Sequence, residues 1–301
     1  MTILDDIGAG IRQLAESAGT SVVGVGQRWG AGSGIVLGDG TVLTNAHNVR
    51  GDQVTVTFAG GRTADGTVAG RDTDGDLAVI TVDTGGAPAL PWADGTAAEL
   101  GTPVFALANP GGRGLRVTFG FVSGTDRAFR GPRGRRITGS LEHTAPLLPG
   151  SSGGPVLSAA GQLLAINTSR LGDGFYLAIP ASQALRDRAG TLARGQSAPS
   201  PRLGVGIAPN FVARRLRRAT GLPDTDGLLI RDVAEDSPAA RAGVARGDLI
   251  TAASGQPVRT PDDLFDALQA AAGGTITLTT IRGTDEQTIQ VTLEDHAQPD
   301  S

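Results

Sequence analysis

Apolar positions at Ile3, Leu4, Ile7, Ile11, Leu14 and Ala15 recur at helical spacing, so residues 3–18 predict a short amphipathic helix. From residue 22 the pattern changes. Valine-rich runs at 22–25, 34–37, 54–58 and 77–80 predict short strands, with Gly38-Asp39-Gly40 and Ala59-Gly60-Gly61 as turns. A second set of strands is predicted at 104–107, 117–122, 155–157 and 163–166, followed by a helical stretch at 181–189. Residues 191–202 are rich in Gly, Pro and Ser and predict a linker. Beyond it, predicted strands at 203–207, 227–233, 248–252, 275–281 and 287–293 mix with helices at 210–219, 238–242 and 261–272. The expected division is a helical segment at 1–20, a first domain at 21–190, the linker, a second domain at 203–294 and a polar tail at 295–301.

Composition narrows this picture. A chain of 301 residues is comfortable for two domains and needs no disulfide or metal to stabilise them. With 46 glycines and only 4% aromatic residues, it suits an all-β architecture with many tight turns in its first part. Zero cysteine excludes thiol catalysis and Cys-ligated zinc, and no metal or organic cofactor is implied. The net charge of −4 gives no support to a nucleic-acid partner. Residues 1–30 hold no long apolar run, so neither a signal peptide nor a membrane span is expected there. As the sequence stands the expectation is cytoplasmic, or exported if a leader has been removed.

Three segments carry candidate chemistry. Gly150-Ser151-Ser152-Gly153-Gly154-Pro155 places a serine in a turn flanked by glycines, which can aim backbone N–H groups at one point. An oxyanion held there gains roughly 3 kcal/mol per donor, although a Gly-Ser surface turn reads the same way in isolation. His47 ends the apolar run Leu43-Thr44-Asn45-Ala46 and is the best general base of the three histidines. Asp76 precedes the buried run Leu77-Ala78-Val79-Ile80, where an unpaired carboxylate is costly and an imidazole would satisfy it. Asp72 and Asp74 read as turn residues, and His296 in the tail is given no role.

In this order, the strings resemble the trypsin-like HtrA/DegP serine proteases. Gly32-Ser33-Gly34, Thr44-Asn45-Ala46-His47, Asp76-Leu77-Ala78-Val79, Asn109-Pro110-Gly111-Gly112, the Ser152 motif, Ile166-Asn167-Thr168 and Ala178-Ile179-Pro180 all match family hallmarks. The resemblance spans roughly residues 20–293. It implies a mainly β fold: a trypsin-like double six-stranded β-barrel followed by a small α+β PDZ domain. It also implies a serine endopeptidase with Ser152 as nucleophile, His47 as base and Asp76 as its orienting carboxylate. Gly150, Ser151 and Ser152 are the implied oxyanion hole.

Departures are local. The family often has Thr-Asp-Ala and Asn-Pro-Gly before the nucleophile, whereas here Thr144 and Leu148 replace the carboxylate and carboxamide. His143 there is read as structural. Trypsin-like enzymes that cut after Arg or Lys carry Asp six residues before the serine. Pro146 stands in that place, and with Leu147, Leu148 and Ile166 it predicts an apolar pocket for small or medium aliphatic residues. The arginines of residues 127–136 read as a solvated loop or as a regulatory loop sensing the PDZ domain, and those of 214–218 as the outer face of a helix.

In the second domain, Leu203, Gly204, Val205 and Ile207, facing Leu264 and Leu268, are the expected site for a peptide C-terminus, which would add as a strand. Some of these residues are equally readable as core. The expected partners are polypeptide substrates and peptide C-termini. The family commonly forms trimers through aromatic contacts near the N-terminus. Residues 1–20 hold no aromatic, so a monomer or another homo-oligomer stays open. A proteolytically silent peptide-binding scaffold or chaperone on the same fold is the alternative.

Overall fold

The computed structural model describes the chain except residues 1, 27–30, 39, 94–97, 131–135, 173, 197–201, 209, 272 and 294–301. It divides into two compact units, Met1–Ala198 and Pro199–Ser301.

The first unit opens with helix α1 (Ile3–Ser17), started by a capping box in which Thr2 and Asp5 satisfy each other's backbone N–H. Strands β1 (Val22–Val25), β2 (Gly32–Gly38), β3 (Thr41–Thr44), β4 (Gln53–Thr57), β5 (Thr63–Asp72) and β6 (Leu77–Thr81) follow. They close into a barrel in the order β1-β2-β3-β6-β5-β4. Strands β7 (Pro103–Ala108), β8 (Arg116–Arg130), β9 (Arg136–His143), β10 (Pro155–Leu157), β11 (Leu163–Gly172) and β12 (Phe175–Pro180) close a second barrel in the order β10-β11-β12-β9-β8-β7. Closure leaves neither barrel with an exposed strand edge. Each has its own interior, Val36, Val42, Val56 and Ile80 in the first, Val104, Leu141, Val156 and Ala178 in the second. A third core lies on the seam between them. Ile35, Leu43 and Val79 of one barrel meet Leu107, Leu157 and Ile166 of the other, with Leu14 of α1 joining them. Helix α2 (Gln183–Ala193) completes this core with Leu185, Ala189 and Leu192. It therefore runs through the first residues of the expected linker, because Leu192 is fully buried.

Strands β5 and β9 were not among the sequence expectations. Small and polar residues dominate both, so apolar alternation is weak. For β5 tertiary packing explains the composition: a side chain at Gly70 would lie 2.5 Å from the Leu192 carbonyl, so only glycine lets the end of α2 rest on β5.

The second unit comprises β13 (Val205–Ala208), α3 (Asn210–Ala219), β14 (Leu228–Val233), α4 (Pro238–Arg241), β15 (Leu249–Ala253), β16 (Gln256–Pro257), α5 (Pro261–Ala270), β17 (Thr275–Arg282) and β18 (Asp285–Thr292). The sheet order β13-β14-β15-β17-β18 puts β13 on an edge, as the PDZ reading expects. Thr260 and Asp263 form a capping box on α5, with Pro261 in the first turn. The expected fold class, a double barrel followed by a small α+β domain, is borne out.

Candidate active site

β3 delivers Thr44 to the barrel seam, and a single 3-10 turn, Ala46–Asn48, then presents His47. The β5–β6 turn brings Asp76 opposite. Asp76 is fully buried and adopts φ +56, a left-handed conformation that costs a non-glycine residue about 1 kcal/mol. Its neighbours hold it there. The Asn45 side chain donates to the Asp76 carbonyl at 2.9 Å, and the Asp76 carboxylate accepts from the His47 backbone N–H at 3.2 Å. His47 Nδ1 lies 2.9 Å from both carboxylate oxygens. Asp72 is more than a turn residue: it is buried, accepts from Gly75 N–H and pairs with Arg188 at 3.0 Å, tying the turn to α2.

A β-bulge supplies the link between the two barrels. In the β11–β12 ladder Asn167 pairs with Ala178 and Ser169 with Leu177, leaving Thr168 as the extra residue. A bulged residue is released from the ladder and can aim its groups elsewhere. Thr168 Oγ1 donates to Asp76 Oδ2 at 2.6 Å, and the Thr168 carbonyl accepts from Ser152 Oγ at 3.0 Å. With Nδ1–H donated to Asp76, the free lone pair of His47 is on Nε2. Among the described residues no hydrogen bond joins the Ser152 hydroxyl to the imidazole; its proton points to Thr168.

The nucleophile turn is fixed by contacts that reach back to β2. Ser33 Oγ donates to the Gly150 carbonyl at 2.9 Å, and Ser33 N–H donates to the Ser152 carbonyl at 2.8 Å. Gly153 has φ +86, and a side chain there would lie 2.1 Å from the Ser33 carbonyl, so no other residue fits. Gly150 has φ +87. Among the described residues the N–H groups of Gly150 and Ser152 have no partner. The N–H of Ser151 does: it donates to the Leu148 carbonyl at 3.1 Å, which removes Ser151 from the expected oxyanion donors.

Beside Ser152 lies a cleft of about 150 Å³, lined by residues 147–152, 167–170 and Tyr176. Leu147 and Leu148 line it. Two expected pocket residues do not. Ile166 points into the seam core and is fully buried, because β11 alternation sends it opposite to Asn167. Pro146 is exposed and outside the cleft. Thr168, Asn167 and Tyr176 take their places. The string Ile166-Asn167-Thr168 is visible in the sequence, but nothing local marks a bulge.

His143 sits behind this wall, fully buried. Its Nε2 is 2.8 Å from Asn167 Oδ1, and its ring stacks on Tyr176 at 5.8 Å. The Asn167 amide donates to the Gly154 carbonyl at 3.1 Å, so its oxygen faces His143 and Nε2 carries the proton. Burial lowers the His143 pKa, the Asn167 bond opposing this, and among the described residues the buried Nδ1 has no partner. Next to it, Glu142 accepts from Ser123 Oγ at 2.9 Å and lies 3.4 Å from Arg127 Nε. Of the arginine-rich segment, residues 131–135 and the side chains of Arg130 and Arg136 lie outside the described residues, as does His296.

In the second unit Leu203, Leu264 and Leu268 are core residues, while Val205 and Ile207 on the edge strand are half-buried. Gly204 has φ +76 and passes so close to Ser237 that a side chain would lie 2.3 Å from its Cβ. The N–H groups of Leu203 and Gly204 have no partner among the described residues. The arginines of α3 are not simply an outer face. Arg217 is buried and donates to the Pro223 carbonyl, and Arg214 pairs with Asp224 and Asp226. Among the described residues no group of acidic, His or Cys side chains could hold a metal, and no helix is long and apolar enough to cross a membrane.

Comparison with known proteins agrees with this architecture. The trypsin-like peptidase domain family matches residues 32–166, and the PDZ domain family matches residues 229–282. The chain is 37% identical to the putative serine protease HhoA of Synechocystis sp. over 76% of its own length and 61% of that protein. It is 28% identical to the serine endoprotease DegS of Escherichia coli K12, covering 88% of this chain and 77% of DegS. A solved structure of the serine endoprotease from Yersinia pestis superposes with TM-score 0.69 at 26% identity, covering 95% of this chain and 98% of that one. The chain spans about three fifths of the length of the curated relatives it first matches. A trypsin-like peptidase domain followed by a PDZ domain, together with these relatives, places the chain in the HtrA/DegP family.

Proposed function

We propose that the chain is a serine endopeptidase whose first domain cuts polypeptides and whose second binds peptide C-termini. One observation carries the reading: the Thr168 bulge touches both the carboxylate behind His47 and the hydroxyl of Ser152. In the proposed cycle, a substrate strand takes the Thr168 carbonyl with its own N–H, and the Ser152 side chain turns toward His47. Ser152 Oγ then forms a bond to the scissile carbonyl carbon while His47 Nε2 accepts its proton. The carbonyl oxygen becomes an oxyanion facing the open N–H groups of Gly150 and Ser152, each worth roughly 3 kcal/mol. Collapse breaks the C–N bond, and His47 returns the proton to the departing amine. Water repeats the sequence on the acyl-enzyme, releasing the acid. Asp76 stabilises the imidazolium throughout without taking the proton.

The cleft supports an apolar side chain on the acyl side of the cut bond. Among the described residues no carboxylate lines it, so nothing there pairs with the charge of a Lys or Arg substrate side chain. Edge strand β13, with Leu203 and Gly204 N–H groups at its start, supports strand addition by a peptide ending in a free carboxylate.

A second reading, a silent peptide-binding scaffold, is favoured by the Ser152 hydroxyl resting on Thr168 rather than His47. A serine-directed phosphonate separates the two. Covalent labelling of wild type and its loss in Ser152→Ala, together with casein turnover with and without C-terminal peptides, is the expected result. No labelling of a folded wild type establishes the scaffold.

A further inference from the structure

Asn48 follows His47 in the same 3-10 turn and is 7% exposed. Its side-chain amide donates to the Ser152 carbonyl at 2.9 Å and to Thr44 Oγ1 at 3.0 Å. Thr44 Oγ1 in turn donates to the Ser33 carbonyl at 2.6 Å, and Ser33 N–H shares the Ser152 carbonyl at 2.8 Å. The four residues close a ring across the seam between the barrels. Two glycines make room for it. A side chain at Gly32 would lie 2.2 Å from Asn48 Cγ, and one at Gly153 would lie 3.1 Å from Asn48 Nδ2.

The position of this ring matters. The turn that carries the imidazole is pinned on both sides, by Asn45 to the Asp76 main chain and by Asn48 to the Ser152 main chain. We infer that Asn48 is a positioning residue that sets the separation of the His47 imidazole from the Ser152 hydroxyl by tying the histidine turn to the nucleophile's own carbonyl. Asn48 touches no reacting atom. The inference rests on the endopeptidase reading, because it assigns a purpose to that separation.

The two partners of the amide give the test its contrast. Asn48→Leu keeps the branching at Cγ and removes both N–H donors. Thr44→Val keeps the shape at residue 44 and leaves the bond from Asn48 to Ser152 in place. Displacements near 1 Å cost roughly 100-fold in rate, so Asn48→Leu is expected to lower kcat on a peptide ester and the phosphonate labelling rate of Ser152 together, by roughly 10- to 100-fold. KM should stay within about 3-fold, since the cleft is untouched. Thr44→Val should lose less than about 5-fold in kcat. Equal losses in the two variants, or a change confined to KM or the melting temperature, overturn the inference. If Asn48→Leu does not melt cooperatively, Asn48→Asp replaces it, and failure of both to fold makes Asn48 a residue of the fold and likewise overturns the inference. Wild type that melts normally yet shows no Ser152-dependent labelling fails the endopeptidase reading first. Labelled wild type with an unaffected Asn48→Leu fails only this inference.

Discussion

The two halves of the site are built differently. On the side of the first barrel, the Asp76 carboxylate accepts from His47 N–H, His47 Nδ1 and Thr168 Oγ1, and its carbonyl accepts from Asn45. On the side of the second barrel, the N–H groups of Gly150 and Ser152 and the buried Nδ1 of His143 have no partner among the described residues, and Leu148 is 51% exposed. The acid–base half has its carboxylate satisfied, with one donor reaching across from the second barrel. The nucleophile half presents donors with nothing yet to receive them, as a site must if it is to gain most when charge develops on a bound carbonyl.

The sharpest way to break this contrast is at its most satisfied atom. In Asp76→Asn the amide keeps the shape but must present N–H groups where the carboxylate accepted three. The imidazole then loses the partner that fixes its tautomer. A fall in kcat of roughly 10⁴-fold is expected in a variant that still melts cooperatively, read on the same peptide ester. Retention of more than a tenth of wild-type activity would show that the carboxylate does not orient His47.

A smaller effect is expected where the halves join. Thr168→Val removes the hydroxyl on Asp76 and leaves the bulged carbonyl that holds Ser152. Asp76 keeps both bonds from His47, so kcat should fall by roughly 10-fold. Thr168→Ser should restore it. Rescue by serine is the decisive arm, because a loss caused by packing would not be repaired by removing a methyl group.

These residues also mark how far the sequence could be read. His47, Asp76 and Ser152 stood out because each is embedded in a distinctive local string, such as the glycines that flank Ser151 and Ser152. The strand expected at 203–207 and the helix at 261–272 were equally legible, since periodicity and turn chemistry are local. Thr168 and Asn48 were not, because a bulge and a ring of hydrogen bonds across a barrel seam depend on partners up to about a hundred residues away. One expected pocket residue is displaced for a related reason. Ile166 was assigned by sequence proximity to the motif, but strand alternation sends it to the core and gives the cleft to its neighbour Asn167. Strand β5 escaped notice because its small residues serve the packing of α2 rather than an apolar face.

The weakest expected effect tests the wall behind the cleft. Burial disfavours the charged form of His143, whose Nε2 faces Asn167 and whose Nδ1 has no hydrogen-bond partner among the described residues. Its folded pKa is therefore lowered, while the unfolded chain binds a proton near pH 6.5. The unfolded state then holds more protons below that pH, so stability is full above it and falls on acidification, by at most about 1.4 kcal/mol per pH unit from this group. Glu142, next in β9, keeps Ser123 and Arg127 as partners and is common to wild type and variant. Thermal melts between pH 7.5 and 5 should show a steeper decline for wild type than for His143→Gln, whose amide can still donate to Asn167 but takes up no proton. Parallel curves would mean that the wall of the cleft is indifferent to the charge of His143, and that its orphan nitrogen costs the fold nothing on acidification.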